Sequence, residues 1–413
     1  MSEYGAKIYY QRKVFDRKSI KSSKIIKELD PTGVQLIAGV GDFVLVADER
    51  PTIEDIYFPF ITYFDGGDVE QLYSFESSTQ QTGKKEWKVR TADIIAQLDK
   101  YTFLGGFYDN KNVGELLEEI ARRTGALGTA FTLDESYANA TVSGYLPVST
   151  CRTAVMQIVF ALGCLVKVRG LNVILYPMPT EVSQTIDINR VIMSNNRFIS
   201  SQYSAVEVAC HEYVESEERW YKHYSAPSED WGTETLILFD EPLYDVQIDG
   251  MTSVELVKWG ANYAVVKQGE GWTLTGLKYS HSTRTQTVGD VVQGKTAKIN
   301  TATLVTSANL DEVAQRCYNR ICKAQTLRCK IVDGKHIVYH YGGIYGTSKY
   351  GEAVYGDKPI KVVTRDNPTS IGDYVAIDAP FWGIVKGLIT EQSYTLNGGQ
   401  LFKDCVITMY TED

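Results

Sequence analysis

The segment LDKYTFLGGFYDNKNVGELLEEIARRTG, residues 98–125, contains the clearest helical pattern of the chain. Its apolar residues recur at intervals of three and four between residues 112 and 124, which predicts an amphipathic helix with one buried face. Asn112 and Glu115 have the spacing of a capping box, and Gly125 ends the helix. The segment therefore predicts a capped helix that packs its apolar side against a core.

The segment TVSGYLPVSTCRTAVMQIVFALGCLVKVRGLNVILYP, residues 141–177, continues with a second helix and two strands. Residues 150–162 are apolar nearly all round, which predicts a helix that is enclosed by other elements. Short runs of β-branched residues at 165–168 and 173–176 predict strands after that helix. The two segments together predict a small α/β unit.

Strand signals dominate the rest of the chain. The predicted strands, each bounded by turn residues, lie at 6–10, 33–37, 42–46, 57–63, 86–89, 206–209, 236–239, 374–377 and 405–410. Tight turns are predicted at Asp-Gly or Asn-Gly dipeptides that begin at residues 65, 249, 333 and 397. Two further helices are predicted at 92–99, after a Thr91 cap, and at 310–325, after Asn309. Because strands and helices do not alternate regularly, the sequence predicts an α+β, β-rich, multi-domain architecture.

Composition places the chain among ordinary globular proteins. Apolar residues make up 44% and charged residues 23% of the 413 residues, and this length suggests two to four domains. The net charge of −9 argues against a dedicated nucleic-acid binder. The start MSEYGAKIYY has no signal-peptide core and no long apolar stretch follows, which predicts a soluble protein made in the cytoplasm. Seven cysteines form no CxxC pair, so reduced, buried thiols are expected.

Two biased segments are candidates for partner contacts. Residues 7–27, the basic arm, contain eight Lys or Arg residues and one Asp, which indicates either docking onto an acidic neighbour or a solvated face. In residues 341–356, the Tyr-Gly segment, Tyr-Gly pairs recur every four or five residues, which predicts an extended loop or hairpin. That segment is either a mobile tip or a partner-binding surface. The partner-interface candidates are Lys7, Arg12, Lys13, Arg17, Lys18, Tyr341, Tyr345, Tyr350 and Tyr355.

Motifs for nucleotide and metal binding are weak. The sequence has neither a GxGxxG fingerprint nor a Walker lysine motif. His336 and His340 have the spacing of a helical metal pair, but KHIVYH has the pattern of a strand, where such positions lie about 13 Å apart. One tetrahedral zinc ion cannot bind both. We therefore predict no metal site and no cofactor.

Two sets of residues could suggest hydrolysis, and each has a simpler structural explanation. Glu215, Glu217 and Glu218 stand next to aromatic residues, as paired carboxylates of a glycosidase do, but a solvated acidic turn explains them as well. Cys151 at a predicted helix start, with His211 as a base, could suggest a cysteine peptidase. The residues before Cys151 have the pattern of an ordinary helix cap. No catalytic residue is predicted.

The two segments within residues 98–177 resemble the hub proteins of tails in phages, prophages and phage-derived bacteriocins of Firmicutes. The resemblance continues in order through GANYAV at 260–265, LTGLKYSHST and ATLVTSANLDEVAQRCYNR, and then through IGDYVAID and GIVKGLITEQSYTLNGGQLFKDCVIT near the end. It covers most of residues 40–410. No single segment among these is a catalytic fingerprint.

The resemblance implies a ring-forming trimer with two tube-like β-barrels per chain, which joins a hexameric tail tube to a trimeric spike. The implied domains are a first barrel with the basic arm at 1–107, a helical α/β domain at 108–180, a second tube-like domain at 181–305, and a helix with closing strands at 306–413. The implied partners are the tube protein, the spike protein and other baseplate or wedge proteins, with DNA only in transit through the lumen.

By the same resemblance, the chain belongs to the baseplate of a virion or tail particle, is assembled in the bacterial host cytoplasm, and carries no lytic module after Asp413. The expected function is structural, without catalytic activity. Two alternatives stay open from the residues alone. They are a cell-wall (peptidoglycan or glycan) hydrolase of the tail tip and a receptor-binding tail protein.

Overall fold

The computed structural model shows a β-rich α+β chain, as the sequence predicts. It describes residues 6–10, 13–15, 18–51, 60–64, 72–74, 76–125, 129–188, 191–250, 254–331, 335–340, 344–347, 353–355, 360–365, 369–379, 383–397 and 400–410. Most of these residues belong to three units: a large sheet, a helical module and a module built on two long strands. Among the described residues, no helix has the length and apolarity needed to cross a bilayer.

The large sheet, which we call the wall sheet, combines strands from both ends of the chain. In order across the sheet, its eight main strands are Val191–Ser200, Ala324–Ile331, Gln400–Tyr410, Gly383–Asn397, Ile20–Glu28, Val40–Val46, Glu86–Ala92 and Glu76–Gln81. Tyr374–Ala379 pairs with Gly383–Asn397, and Gln184–Ile186 runs parallel to Tyr374–Ala379. Strand pairing therefore connects residues 1–107 with residues 306–413, which the sequence analysis assigns to separate domains.

The two faces of the wall sheet differ in polarity. One face carries Phe43, Leu45 and Val89, which are at most 1% exposed. The other face carries ion pairs between strands that are adjacent or one strand apart, as in an antiparallel sheet with one solvated side. These pairs are Lys21–Glu86, Arg90–Asp42, Arg328–Glu391 and Lys330–Asp404. Alternation along each strand thus gives the sheet one apolar and one charged surface.

The helical module, residues 94–176, confirms the two helices predicted from residues 98–177. Val113–Arg123 begins after Asn112, whose side chain accepts a hydrogen bond from the Glu115 amide, and Cys151–Leu162 follows Thr150. The second helix is enclosed by the core, as predicted, because its aliphatic side chains are buried on several faces. The strands of the module are Thr102–Phe103, Gly106–Asn112, Ala130–Leu133, Thr141–Leu146, Ser149–Thr150, Leu165–Arg169 and Asn172–Tyr176.

The strand predicted at 33–37 is wrong, because these residues form a turn and an irregular segment. The Asp30 carboxylate accepts hydrogen bonds from the amides of Thr32 and Gln35 and thereby holds the chain in the turn. Gly33 has φ of 75°, and a Cβ there would lie 3.2 Å from the backbone of Phe160. A side-chain carboxylate and a close backbone approach thus override the local strand pattern.

Of the two remaining helices, the first differs from the sequence prediction at both ends and the last at its C-terminal end only. The first α-helix is Ile94–Gln97, followed by a 3₁₀ turn at Leu98–Lys100, and its cap is Asp93 rather than Thr91. The last helix is Leu310–Ile321, because the chain beyond it enters the wall sheet as strand Ala324–Ile331. The side chain of Asn309 accepts from the Thr306 amide and does not cap this helix.

The ribbon module, residues 203–299, is built on two long antiparallel strands, Tyr203–Tyr224 and Trp272–Gly289. Leu243–Gly250 and Lys295–Ile299 flank this pair. The turn predicted at Asp249-Gly250 is wrong, because both residues pair with the strand Trp272–Gly289. A second sheet has Tyr263–Lys267 between Glu234–Leu238 and Glu255–Gly260. The helix Leu310–Ile321 packs its buried face on the long strands near Val206 and Val208.

The outer strands form smaller ladders. Ala6–Tyr10 pairs with Lys13–Phe15 and with Phe60–Phe64, which also pairs with Leu72–Ser74. Lys335–His340 pairs with Ile360–Arg365, and Ile344–Thr347 pairs with Ala353–Tyr355. The described part of the Tyr-Gly segment is therefore an antiparallel hairpin, as predicted.

Candidate assembly surface

A buried asparagine joins the helical module to the ribbon module. Asn262 is 2% exposed, and its amide nitrogen donates to the carbonyl oxygens of Leu104 and Leu146 at 2.7 and 2.9 Å. Its Oδ1 accepts a 2.6 Å hydrogen bond from the Tyr145 hydroxyl. Both amide protons and the carbonyl oxygen thus have partners in the helical module, which makes the polar contact fully satisfied. The side chain fixes where the ribbon module sits.

A glutamine makes a second joint nearby. The Gln157 amide nitrogen donates to the Thr301 carbonyl at 2.7 Å, and its Oε1 accepts from the Thr303 amide at 2.9 Å. Gly144 has φ of 133°, and a Cβ there would lie 2.6 Å from the Thr303 carbonyl oxygen. The backbone of the segment after the ribbon module therefore packs directly on the helical module, and only glycine permits this approach.

Aromatic rings fill the space between these joints. The Phe107 ring centroid lies 4.8 Å from that of Tyr145, 5.4 Å from that of Tyr213 and 4.3 Å from that of Tyr279. Tyr244 continues the cluster, with its ring 5.0 Å from Tyr279 and its hydroxyl donating to the Ser216 carbonyl. Burial raises the pKa of the Tyr145 hydroxyl, which keeps it neutral as a hydrogen-bond donor. Part of the chain's high tyrosine content, 27 Tyr against 14 Phe, is therefore structural.

The outer side of the ribbon module exposes apolar side chains. Leu236 and Leu238 are 49% and 46% exposed and alternate along one face of their strand, and Trp259 is 44% exposed. On the long strands, Val214 and Tyr221 are exposed as well. Among the described strands, Glu234–Leu238 and Glu255–Gly260 each pair only with the strand between them. Open edges next to exposed apolar residues are typical of surfaces that other chains cover.

The same region is strongly acidic. Residues 212–272 contain thirteen Asp or Glu residues and four Lys or Arg residues. Lys278 lies 2.8 Å from Glu218 and 2.9 Å from Glu241, and within the described part of the chain the other acidic side chains of this segment form no ion pair. The region therefore presents unneutralised negative charge beside its apolar residues.

Five of the predicted partner-interface residues are Lys or Arg, so their charge is opposite in sign to that of the ribbon module. Lys18 is described and exposed, and Lys7 and Lys13 lie on the strands Ala6–Tyr10 and Lys13–Phe15. Tyr345 and Tyr355 lie on the paired strands of the Tyr-Gly hairpin. Four of the nine candidates lie outside the described residues, namely Arg12, Arg17, Tyr341 and Tyr350.

The residues considered for hydrolysis occupy ordinary structural positions. Cys151 is fully buried, and burial raises the pKa of its thiol to about 11, far from that of a reactive thiolate. Glu215, Glu217 and Glu218 lie at a bulge within the strand Tyr203–Tyr224 rather than in a solvated turn. His336 lies on strand Lys335–His340, in agreement with the strand pattern.

Sequence reasoning did not identify the residues that join the modules, Asn262 and Gln157. Asn262 lies in the turn between the strands Glu255–Gly260 and Tyr263–Lys267, where asparagine is an ordinary turn residue, so the sequence alone gives little signal for its role. Gln157 gives a clearer signal, because it is a polar residue within an apolar helix. Buried polar residues in apolar runs indicate a specific hydrogen-bonded contact, although the partner is visible only in three dimensions.

The comparisons with known proteins give a result at the level of structure. No protein family matches the sequence, and no curated protein matches it. The structure is similar to that of the 43 kDa tail protein of prophage MuSo2 from Shewanella oneidensis, with 9% identity, a TM-score of 0.53 and 98% of each chain covered. It is equally similar to the tail protein from Neisseria meningitidis MC58, with 9% identity, a TM-score of 0.53, and 99% of this chain and 97% of that chain covered. The chain therefore has the fold of these two tail proteins over nearly its whole length.

Proposed function

We propose that the chain is a structural hub subunit of a phage tail or phage-derived particle. In this proposal three copies close a ring, and each copy contributes the wall sheet and the ribbon module as two tube-like units. The ring thus presents six similar contact surfaces to a hexameric tube and three-fold symmetry to a spike. The observation that carries the proposal is the fold shared with two tail proteins, one of them from a prophage, along almost the entire length of both chains.

The ribbon module supplies the contact surface in this proposal. Its open strand edges and exposed Leu236, Leu238 and Trp259 would be covered by the next copy in the ring. Its negative charge would face the basic arm of that copy, since residues 7–27 carry the opposite sign. The proposed partners are further copies of the chain, a tube protein, a spike protein and other baseplate or wedge proteins.

The proposed location is the baseplate of a virion or of a bacteriocin particle, assembled in the cytoplasm of a Firmicutes host, with DNA only passing through the lumen. The test is to co-express the chain with candidate tube and spike proteins from neighbouring genes and to determine the assembly by electron microscopy. A closed ring of three chains is expected. A monomer or a two-fold dimer within the assembled particle would refute the hub assignment.

We also propose that the chain has no catalytic activity of its own. The buried Cys151 thiol and the glutamates at the bulge of the long strand support this, because neither set has the environment of an active nucleophile or acid. Purified chain should not clear cell walls in a zymogram. Clearing that is lost in Cys151→Ser or Glu217→Gln would show a hydrolase instead.

A further inference from the structure

Two histidines face each other across the long strands of the ribbon module. His211 lies on Tyr203–Tyr224 and His281 on Trp272–Gly289, where the register places them on a diagonal, with Tyr213 opposite His281. The distance from His211 Nδ1 to His281 Nε2 is 3.0 Å, and the rings stack with their centroids 5.2 Å apart. Two imidazole nitrogens thus point at one another from neighbouring strands.

The second ring nitrogen of His211 fixes its proton. His211 Nε2 lies 2.7 Å from the Asn300 carbonyl oxygen, which can only accept a hydrogen bond. Nε2 therefore carries the proton, and Nδ1 directs its lone pair toward His281. In the absence of a ligand, His281 Nε2 donates its own proton into that lone pair. A histidine held by a backbone carbonyl in this way has the orientation and tautomer of a metal ligand.

We propose that His211 Nδ1 and His281 Nε2 bind one divalent transition-metal ion, of the class Zn²⁺, Ni²⁺ or Cu²⁺. Two nitrogens at about 2.0–2.1 Å from one tetrahedral zinc ion are about 3.3 Å apart, so the 3.0 Å pair has to open by a few tenths of an ångström, and both rings have to turn until their lone pairs meet at the ion. For this, His281 moves its proton from Nε2 to Nδ1, and no net proton is released. Imidazole nitrogens suit these ions and not Mg²⁺ or Ca²⁺.

The site has room for further ligands from solvent. His281 is exposed and His211 is half-buried. No group of three His, Cys, Asp or Glu side chains with metal-binding geometry is found in the part of the chain that the structure describes. Water therefore completes the coordination shell, and the ion is held by two protein ligands. A bound ion cross-links the two long strands and, through Asn300, the segment that leads to the helix Leu310–Ile321.

The remaining histidines serve as controls. His223 lies on the same long strand, but its Nδ1 bonds to the Thr273 hydroxyl at 2.6 Å. His336 and His340 lie four positions apart on one strand, about 13 Å, which is beyond the span of one ion. Among these histidines, His211 and His281 are thus the pair that can bind one metal ion together. The proposal holds whether or not the chain is a hub protein.

The test is calorimetric titration of ZnCl₂ into the full-length chain without an affinity tag, at neutral pH. Wild type and His223→Gln are expected to bind one Zn²⁺ per chain with equal affinity, whereas His211→Gln and His281→Gln bind at least about tenfold more weakly, which is about 1.4 kcal/mol. Zn²⁺ affinity that is unchanged in His281→Gln, or wild-type chain without saturable binding, would overturn the proposal. Far-ultraviolet circular dichroism checks the fold of each variant.

A second measurement does not depend on the variants. Cu²⁺ added at less than one equivalent to the wild-type chain should give pulsed electron paramagnetic resonance signals of two equatorial imidazoles. A spectrum with one imidazole or none would refute the site even if both variants failed to fold.

Discussion

The Asn262 joint makes the sharpest prediction about how the fold is held together. Asn262→Ala leaves three buried groups without their partner, namely the Leu104 and Leu146 carbonyls and the Tyr145 hydroxyl. Each unsatisfied buried group costs about 1–3 kcal/mol. Because the three groups are neighbours, their costs do not add fully, and we expect a loss of about 3–5 kcal/mol in the free energy of unfolding.

Urea unfolding monitored by tryptophan fluorescence measures this loss. Four of the six tryptophans, Trp220, Trp231, Trp259 and Trp272, lie in the ribbon module, so the fluorescence transition reports on the unit that Asn262 anchors. A fall of the urea midpoint at an unchanged slope indicates lost stability rather than a changed unfolded state.

Two further variants separate hydrogen bonding from side-chain volume. Tyr145→Phe removes one hydrogen bond and should cost about 1 kcal/mol. Asn262→Asp keeps the acceptor but places a negative charge beside two carbonyl oxygens, and it should destabilise at least as much as Asn262→Ala. In the double variant Asn262→Ala/Tyr145→Phe the loss should be smaller than the sum, since the phenol that was left unpaired is gone. An Asn262→Ala loss below about 0.5 kcal/mol, the range of an ordinary surface substitution, would refute the reasoning.

Three further predictions follow from other contacts. Burial raises the pKa of Asp93 to about 6, above the unfolded value of about 3.9, so the folded state binds the extra proton and stability should fall as pH rises from about 4 to 6. Urea midpoints across that range should show this slope, and Asp93→Asn should remove it; a slope unchanged in the variant would contradict the assignment. Leu236→Ser with Leu238→Ser should change the unfolding free energy by less than about 1 kcal/mol yet, under the proposed ring, weaken association between copies of the chain, measured by mass photometry. A variant that assembles normally would show that this face is not a contact. Gly144→Ala should destabilise by about 2 kcal/mol or more because of its positive φ and the close carbonyl, whereas Gly271→Ala, with open space around it, should be nearly neutral in the same urea assay.

Short sequence patterns were enough to predict those elements whose caps and buried residues lie close together in the chain. The helices Val113–Arg123 and Cys151–Leu162 were predictable because their caps and apolar residues lie within a few positions of each other. The same local reasoning predicted that Lys335–His340 is a strand. It therefore also predicted that His336 and His340 do not form a helical metal pair. The caps predicted at Thr91 and Asn309 were wrong, because which of several nearby polar side chains reaches a free amide depends on backbone geometry.

The β-rich class, the two central helices, the acidic body with its basic arm and the resemblance to tail hub proteins follow from residue patterns alone. The pairing of Ile20–Glu28 with Gly383–Asn397, the contact of Asn262 with a second module and the contact of His211 with His281 are visible only in three dimensions. The physical reason is the same in each case. Strand pairing and side-chain hydrogen bonding across 70 to 370 positions depend on how whole elements pack, and a sequence window contains no information about a partner so far away.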